Sequence, residues 1–410
     1  MKVLVNAYAV SPDHGSEPGM GWNWCVRLAR ECELFIITEG EFRKGIEREL
    51  SVLPQAGNMH FYFLPVSDRV RRMCWNQGDW RFYIHYRRWQ KRALALAREI
   101  CRKESIDIIH QLNMVGFREP GLLWRIRGIP YIWGPIGGMA LTPVRYFKEA
   151  PFLEKVQIHI KNLFNRIQRK YSSRVIQAIR HSQVVLCATK DDYDFVTRYH
   201  HAKAELINET GTSVVSTPLR RDHSPLHIIW VGKFMHRKQL GLALKAFSAL
   251  YGQDVILDIV GSGTPDEEKQ YHALADKLDL SSQIIWHGQV SHDEVGMLMD
   301  SADIFLFTSV SEATSTVTME AIAHGLPVVC FDTCGFGPLI DPDMGIKIPL
   351  SSPEESIASF AAAIRKLVSD PALRTQMSQA CYAKAPELSW DHKIKRVLSL
   401  YRGGRGKTRF

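Results

Sequence analysis

Two glutamates, Glu312 and Glu320, form the residue pattern in this chain whose chemistry is most specific. They frame the run Glu-Ala-Thr-Ser-Thr-Val-Thr-Met-Glu, so mainly small and hydroxyl-bearing residues separate the two carboxylates. Carboxylates accept hydrogen bonds from hydroxyl groups, and the open backbone amides at the start of a helix favour an anion. A polyhydroxylated diphosphate fits this segment as a ligand, because the carboxylates could accept hydrogen bonds from its hydroxyls and the backbone amides could bind its phosphates.

The elements around the pair predict where it lies. Apolar runs at 303–308 and 326–331 are typical of buried parallel strands, and residues 315–324 fit a short helix that a Gly-Leu-Pro sequence terminates. Strand, loop, helix and strand in this order make a βαβ unit, whose ligands bind at the carboxyl ends of the strands. We therefore expect Glu312 in a ligand-facing loop and Glu320 on the helix.

The glutamate pair, followed by Gly-Leu-Pro-Val-Val, resembles the signature of the retaining glycosyltransferases of family 4, and the likeness extends from Val3 to Tyr401. The resemblance implies an α/β protein with the GT-B fold, in which two Rossmann-like domains face each other across a deep cleft and a C-terminal helix crosses back to the first domain. It also implies sugar transfer from a nucleotide-sugar with retention of configuration. No metal or other cofactor is expected.

Composition and charge narrow the class of protein. The chain of 410 residues is 45% apolar and 23% charged, which is typical of folded domains. No apolar run approaches the roughly 20 residues of a membrane span. Eight cysteines are scattered without metal-type spacing, and together with a start that enters a strand they predict a reduced, cytoplasmic protein. Asp192-Tyr-Asp194 is the nearest Asp-x-Asp motif, but it fits the acidic first turn of a helix better than a metal site.

Alternating strand-like and helix-like runs predict the domain organisation. A polar, proline-containing stretch without periodicity separates two such series and is interpreted as a linker. The expected divisions are an acceptor-side domain at 1–212, the linker at 213–226, a nucleotide-sugar-binding domain at 227–385, a cross-over helix at 386–402 and a basic tail at 403–410.

The second half supplies the expected donor contacts. Val231-Gly-Lys-Phe-Met-His-Arg-Lys238 follows a strand and opens a helix, and its cations could converge on a diphosphate leaving group. Lys238 matches the lysine of the family, whereas Lys233 replaces its usual arginine, and Arg237 could supply the missing planar fork. By resemblance, Glu320 would hold the ribose hydroxyls and Glu312 the donor-sugar hydroxyls. The remaining donor-binding candidates are Gly232, Ser315, Thr316, Gly261 and Gly288.

The first half supplies candidates for the opposite wall of a cleft. Gly15-Ser-Glu-Pro-Gly-Met-Gly21 is expected to form a loop between the first strand and a helix, and by resemblance Gly19 and Gly21 face the donor there; an ordinary turn is the alternative. A strand ending in Gly137 and Gly138 predicts another binding loop. His110 ends a predicted strand at the same edge, and by resemblance it touches the donor sugar or acceptor. A structural histidine is the alternative.

The net charge of +9 is concentrated in two segments. Residues 69–98 hold nine Lys/Arg against one acid, and residues 145–180 hold nine against two. Each segment also carries apolar residues at helical spacing, namely Phe82, Tyr86, Trp89, Ala93 and Leu96 in the first, and Phe152, Val156, Ile160, Leu163 and Ile167 in the second. Helices that cover a core explain such stripes, but not the cations. Basic amphipathic helices bind anionic lipid surfaces, so we predict membrane docking; nucleic acid is the rival partner, without a supporting motif.

Together these features predict a glycosyltransferase at the inner face of a cell membrane. The donor would be a UDP- or GDP-linked sugar and the acceptor a saccharide, lipid-linked, in the assembly of a bacterial capsule, O-antigen or exopolysaccharide. This context rests on analogy. Two alternatives remain: a catalytically impaired partner subunit with the same fold, or a nucleotide-sugar epimerase or phosphorylase.

Overall fold

The computed structural model describes residues 1–76, 79–213 and 224–403, which form two compact units. Unit 1 comprises Met1–Ala140, Leu163–Thr210 and the chain from Trp390 onward, whereas unit 2 comprises Leu141–Asn162 and Gly211–Ser389. This division differs from the expected one, because residues 141–162 group with the second unit. Most of the expected linker, residues 214–223, and the tail beyond residue 403 lie outside the described residues.

Unit 1 is built on a sheet of seven parallel strands. The strands are β1 Lys2–Ala7, β2 Glu33–Thr38, β3 Met59–Phe63, β4 Ile108–Asn113, β5 Tyr131–Ile136, β6 Val184–Cys187 and β7 Ala204–Leu206. Their order in the sheet is β3-β2-β1-β4-β5-β6-β7, so the sheet grows in one direction from β1 and then in the other from β4. Nearly every residue of β1 and β4 is buried, as expected for a parallel sheet covered on both faces.

Helices precede, connect and cover these strands. They are α1 Ser16–Leu28, α2 Arg43–Leu50, α3 Asp68–Trp75, α4 Arg81–Lys103, α5 Phe152–Tyr171, α6 Ser173–His181 and α7 Lys190–Asp194. One face of the sheet packs on buried aromatic residues of α4, and the other packs on α1 together with the C-terminal helix. The division between the two units falls within α5, after Asn162.

Unit 2 contains a second parallel sheet, with strands β8 Leu226–Val231, β9 Val255–Val260, β10 Ile284–Gly288, β11 Ile304–Phe307, β12 Val328–Phe331 and β13 Gly345–Ile348. Its order is β10-β9-β8-β11-β12-β13. The helices are α8 Leu240–Phe247, α9 Pro265–Lys277, α10 His292–Ser301, α11 Thr316–Ala323, α12 Pro353–Ser369 and α13 Pro371–Leu388; α14, Trp390–Gly403, follows in unit 1. Helices α9, α10 and α12 begin at capping boxes formed by Thr264, Ser291 and Ser352, which satisfy their first amides.

The α/β class predicted from the sequence is confirmed, with two Rossmann-like parallel sheets flanked by helices. In the part of the chain that the structure describes, no helix combines the length and the hydropathy that crossing a bilayer requires.

Candidate functional site

The strand order of unit 2 identifies one edge of its sheet as the place for a ligand. Growth of the sheet reverses between the neighbouring strands β8 and β11. Loops that leave two such strands in opposite directions open a crevice at their carboxyl ends, and ligands of open α/β sheets bind there. The loops concerned are residues 232–239 after β8 and residues 308–315 after β11, which contain most of the predicted donor contacts.

Hydrogen bonds hold these two loops together. The Thr308 hydroxyl donates to the carbonyl of Lys238 at 2.8 Å, and the Ser309 hydroxyl donates to the carbonyl of Arg237 at 3.2 Å. The Val310 amide donates to the same Arg237 carbonyl at 2.9 Å. Gln239 has a φ of +55°, a left-handed conformation that ends the turn 236–238 before α8 begins. The backbone of the two cationic residues is therefore fixed against the end of β11.

The same contacts bring two cations onto one predicted glutamate. Lys238 Nζ lies 2.6 Å from Glu312 Oε1, and an Arg237 guanidinium nitrogen bonds to that oxygen as well. The Ser309 hydroxyl donates to it at 3.0 Å. The side chains of Lys238 and Glu312 are 11% and 12% exposed, so the pair is largely removed from water. Two cations and one carboxylate leave one surplus positive charge in the crevice.

Burial and pairing shift both ionisations in this cluster. Burial alone would raise the pKa of the Glu312 carboxyl, but the charges of Lys238 and Arg237 outweigh it and hold that pKa below its usual value. Burial lowers the pKa of the Lys238 ammonium, and Glu312 offsets only part of that effect. Lys233, the other predicted cation, is exposed and does not join the cluster. The structure thus brings Arg237, Lys238 and Glu312 together and leaves Lys233 at the rim.

Three of the predicted glycines lie side by side where β8, β9 and β10 end. The Gly232 amide donates to Val260 O at 2.9 Å, and the Gly261 amide donates to Gly288 O at 2.8 Å. Gly261 has a φ of +132°, and a Cβ there would stand 1.9 Å from the Gly232 carbonyl oxygen. Only glycine fits that position. These residues form a floor of bare backbone beside the cationic cluster.

The second predicted glutamate lies on α11, in the middle of the helix. The side chain of Glu320 is 20% exposed, and His292 Nε2 lies 4.0 Å from its Oε1. Burial raises the pKa of the Glu320 carboxyl, while His292 and His324 oppose the shift. At the helix start, Ser315 is buried and Thr316 is exposed, and the side chain of the N-cap residue Ser315 makes no capping hydrogen bond.

In unit 1, Gly19 and Gly21 do not lie in the loop that was expected for them. Helix α1 begins at Ser16, so Gly19 and Gly21 lie within the helix and are buried. A Cβ on Gly19 would stand 2.2 Å from the His14 carbonyl oxygen, and one on Gly21 would stand 2.5 Å from that of Ala9. The prediction of a glycine loop here is wrong, because these glycines let the helix approach the preceding chain closely.

His110 also differs from its expected placement. It does not end a strand, since β4 continues to Asn113, and its ring is fully buried. Its Nδ1 bonds to the Tyr401 hydroxyl at 2.5 Å, and its Nε2 bonds to Gly134 O at 2.7 Å. Burial lowers the pKa of the imidazole to about 4, so the ring is neutral at pH 7. Both ring nitrogens are used within unit 1, which corrects the expectation of a ligand-facing histidine.

The loop after β5, predicted as a binding loop, contains one buried and one exposed glycine. Gly137 is buried, but Gly138 is exposed and has a φ of +94°. Asn165 of α5 donates to the carbonyls of Gly138 and Ala140, at 3.0 Å each. The loop is thus held by a side chain that sequence reasoning missed, although an asparagine inside an apolar helical pattern was the available signal.

The Asp-x-Asp motif does not present two carboxylates to one point. Asp192 is buried, accepts the Met139 amide at 2.9 Å and bonds to the Thr189 hydroxyl, whereas Asp194 pairs with Lys190 at 3.2 Å. Burial raises the pKa of Asp192 to about 7. Across the described ranges no group of three or more His, Cys, Asp or Glu could hold a metal ion.

The first basic segment is anchored by buried contacts. Its apolar stripe on α4 faces the core, with Trp89 1% exposed. Arg87 and Arg174 share the buried carboxylate of Glu119, at 2.8 and 2.7 Å. Arg71 likewise pairs with the buried Glu39 at 2.9 Å. Several of the cations expected to face a partner are therefore occupied within unit 1.

The second basic segment presents its apolar stripe to solvent. Leu163 and Phe164 of α5 are 56% and 51% exposed. The other exposed apolar side chains on this helix are Phe152, Leu153, Ile160, Ile167 and Tyr171. The buried residues of this helix are Ile158, Asn162 and Asn165, so two of the three inward positions are polar. Lys161 and Arg166 are exposed and lie beside the stripe. After Ile158, this helix therefore turns apolar side chains to solvent and asparagines inward.

Comparison with known proteins finds a family match in the second half of the chain. Residues 216–384 match the family model described as Glycosyl transferases group 1. The C-terminal half of this chain is similar to group 1 glycosyl transferases. The match includes the loops at the switch point, with Arg237, Lys238, Glu312 and Glu320, and the glycine floor beside them.

Individual relatives extend the comparison. The chain is 29% identical to a lipopolysaccharide core biosynthesis glycosyltransferase of Rhizobium meliloti over 179 residues, which are 42% of this chain and 49% of that protein. It is 30% identical to an amylovoran biosynthesis glycosyltransferase of Erwinia amylovora over 151 residues, 35% of this chain and 36% of that protein. The chain thus spans half or less of the length of these curated relatives.

A solved structure matches the whole chain. The sucrose-phosphate synthase of Thermosynechococcus elongatus superposes with a TM-score of 0.65 at 15% identity, covering 99% of this chain and all of that one. At this identity the likeness concerns the fold alone, and it agrees with the GT-B class expected from the sequence.

Proposed function

We propose that this protein is a retaining glycosyltransferase that moves a sugar from a UDP- or GDP-linked donor to a saccharide acceptor. The observation that carries the proposal is the cluster of Arg237, Lys238 and Glu312 at the switch point of the second sheet. Its surplus positive charge suits a diphosphate, the glycine floor admits one closely, and the segment is similar to group 1 glycosyl transferases.

During catalysis the charged side chains of the cluster would exchange their contacts with one another for contacts with the donor. When the donor binds, its diphosphate takes over Arg237 and Lys238, and the released Glu312 carboxylate accepts hydrogen bonds from hydroxyls of the donor sugar. Glu320 would hold the ribose hydroxyls. As the bond between the sugar C1 and the phosphate oxygen breaks, charge grows on the diphosphate, so the two cations stabilise the transition state more than the bound donor. The acceptor oxygen bonds to C1 from the same face, and its proton passes to the leaving phosphate oxygen.

The acceptor and the setting belong to the same proposal. Relatives named for lipopolysaccharide core and amylovoran biosynthesis favour a bacterial surface polysaccharide as the product. A lipid-linked saccharide at the inner face of the cell membrane would bring such an acceptor to a cytoplasmic enzyme. Helix α5 supports this setting, because exposed Leu, Ile, Phe and Tyr side chains flanked by cations suit the interface of an anionic bilayer.

The test is a panel of nucleotide-sugars incubated with the protein and a bacterial lipid extract. A transferase releases the nucleoside diphosphate from one donor faster with extract than without, and radiolabelled sugar appears in the lipid fraction. Chelation of metal ions with EDTA should leave the rate unchanged, because protein cations would neutralise the diphosphate. An epimerase would alter the sugar without releasing nucleotide. A catalytically impaired subunit would do neither, and that result would overturn the proposal.

A matched pair of lysine variants locates the chemistry. Lys238→Ala should reduce turnover by about 10²-fold at saturating donor, because it removes a largely buried cation from the diphosphate. Lys233→Ala, an exposed lysine of the same loop, should change turnover by less than about threefold. Equal effects of the two substitutions would place the diphosphate outside the cluster.

A further inference from the structure

Unit 1 has its own switch point, and a cavity opens there. Its sheet reverses direction of growth between β1 and β4. A cavity of about 300 Å³ is lined by residues that follow β1, β2 and β4, together with the start of α1 and residues of α3 and α4. The volume lies at the lower end of the range of small-ligand sites, and the position is where open α/β sheets bind ligands. Gly137 and Gly138 of the expected acceptor loop after β5 are not among its lining residues.

Aromatic side chains form much of the lining. Trp75, at the end of α3, is 52% exposed, and its indole N–H donates to Glu41 at 2.9 Å. The Phe42 ring packs against it edge to face, with 6.1 Å between the ring centres. Phe82 and Tyr83 continue the aromatic wall. An indole held by its nitrogen and by a neighbouring ring presents a fixed flat surface, which suits the apolar face of a sugar ring.

The charges of the lining exclude an anionic ligand. Four carboxylates line the cavity, and none of its described lining residues is Lys, Arg or His. His14 lies outside the lining and packs on Phe42, with 4.6 Å between the ring centres. Glu39 and Asp79 are paired with Arg71 and Arg81 outside the lining. Glu41 and Glu17 have no such partner among the described ion pairs, which leaves the cavity acidic. A phosphate or a nucleotide in this place would meet repulsion and no compensating cation.

Glu17 adds a polar group that is suited to hydroxyls. It accepts the Val115 amide through one oxygen and lines the cavity. Burial raises the pKa of its carboxyl to about 7, so near neutral pH it can accept or donate a hydrogen bond. The two switch points thus differ in chemistry. In unit 2 two cationic side chains lie beside glycine backbone, whereas in unit 1 carboxylates and aromatic rings line the cavity.

We infer that the cavity at the switch point of unit 1 binds a neutral or amine-bearing sugar ring of the acceptor, stacked on Trp75 and hydrogen bonded to Glu41 and Glu17, and that it rejects phosphorylated sugars. The inference rests on the proposed transferase function and adds the class of acceptor. The acceptor would present an uncharged or cationic saccharide end to this cavity and carry any phosphate outside it.

The test uses ligand-observed saturation-transfer NMR on the full-length protein. The probes are methyl glucoside, methyl galactoside, N-acetylglucosamine, glucosamine and glucose 1-phosphate, each at millimolar concentration. We expect transfer to at least one uncharged or amine-bearing sugar that depends on Trp75, whereas any transfer to glucose 1-phosphate, which the cations of unit 2 could bind, should not depend on Trp75. Trp75→Ala should weaken that binding by roughly tenfold or more, since it removes the stacking surface. Trp80→Ala, which changes a 69% exposed tryptophan outside the lining, is the matched control and should have no effect.

Calorimetry with UDP and GDP on the same variants separates this inference from the proposed function. Nucleotide binding without any sugar binding would overturn the cavity assignment and leave the transferase proposal standing. Binding of glucose 1-phosphate that Trp75→Ala weakens as much as it weakens binding of the uncharged sugars would also overturn the assignment, as would equal loss in Trp75→Ala and Trp80→Ala. Absence of binding by either nucleotide would count against the transferase function, while sugar binding would be judged on its own.

Discussion

Helices α4 and α5 carry the same sequence pattern, an apolar stripe with arginines and lysines beside it, and the fold uses it in opposite ways. In α4 the stripe packs on the sheet of unit 1, and two of its neighbouring arginines contact protein groups at Glu119 and Pro65. In α5 most of the stripe is exposed, and two asparagines lie buried on the inward face together with Ile158. Periodicity therefore locates a stripe on a helix, but it does not tell which side of the helix faces the protein.

The largest expected difference between the two helices is in stability. Trp89→Ala in α4 should lower the free energy of unfolding by about 3–5 kcal/mol, because it leaves a cavity in the core and removes an indole that donates to Leu64 O at 2.8 Å. Phe164→Ala in α5 should change it by less than about 0.5 kcal/mol. Urea unfolding followed by circular dichroism measures both. A large loss in the α5 variant would mean that its stripe is covered in solution.

Membrane binding should depend on α5 in the reverse way. Replacing Leu163, Phe164 and Ile167 by Ser removes roughly 1 kcal/mol of apolar contact per residue, so binding to anionic vesicles should fall by about 10²-fold. Ile84→Ser, which changes a 42% exposed residue of α4, is the control and should bind as the native protein does. The measurement is flotation with phosphatidylglycerol vesicles. If the native protein floats equally with neutral vesicles, or fails to float, the docking proposal is wrong; dimers that the triple variant abolishes would assign the stripe to a second copy of the chain.

Within α4, substitutions of two adjacent arginines should distinguish a charge that stabilises the fold from a charge that is only solvated. Arg87→Gln takes one partner from the buried Glu119, and we expect a loss of roughly 1–3 kcal/mol of stability, limited because Arg174 remains. Arg88→Gln changes an exposed residue and should stay within about 0.5 kcal/mol. Melting temperatures of the two variants decide the point. Similar melting temperatures would show that Glu119 needs only one arginine.

The smallest expected effect concerns single charges at the lipid surface. Arg166→Gln in α5 should weaken binding to anionic vesicles by about fivefold at low salt, since one cation near such a surface contributes about 1 kcal/mol. Lys91→Gln in α4 should have less than half of that effect on the free energy of binding. Both differences should vanish near 1 M salt, where charges are screened within about 3 Å. Vesicle sedimentation at several salt concentrations tests this, and a salt-independent loss would point to structure rather than charge.

Much of the fold could be predicted because parallel strands leave clear apolar runs. The strands around Glu312 and Glu320 occur where the runs at 303–308 and 326–331 placed them, within two residues. The helix boundaries were harder, since glycines usually interrupt helices. Gly19 and Gly21 lie inside α1, where the chain at His14 and Ala9 passes too close for a side chain, and helical periodicity does not reveal such contacts.

The candidate site was predictable in its residues and less so in their partners. Arg237, Lys238 and Glu312 were each singled out, but their meeting on one carboxylate oxygen depends on hydroxyls of Thr308 and Ser309, which bind the two loops across β8 and β11. His110 shows the opposite limit. The Nδ1 atom of its imidazole bonds to Tyr401, 291 residues further along the chain, and no local pattern reveals that partner.

The inward asparagines fix how α5 is rotated about its own axis. Asn165 holds the carbonyls of Gly138 and Ala140 with a single amide, so the shape of that loop and the direction of the apolar stripe are fixed by the same turn of the helix. One residue inserted before Asn165 would rotate the rest of α5 by about 100°, moving the amide away from the loop and carrying the exposed side chains round with it. The length of this helix is therefore constrained residue by residue, even where the identities of its outward side chains are free to vary among apolar types.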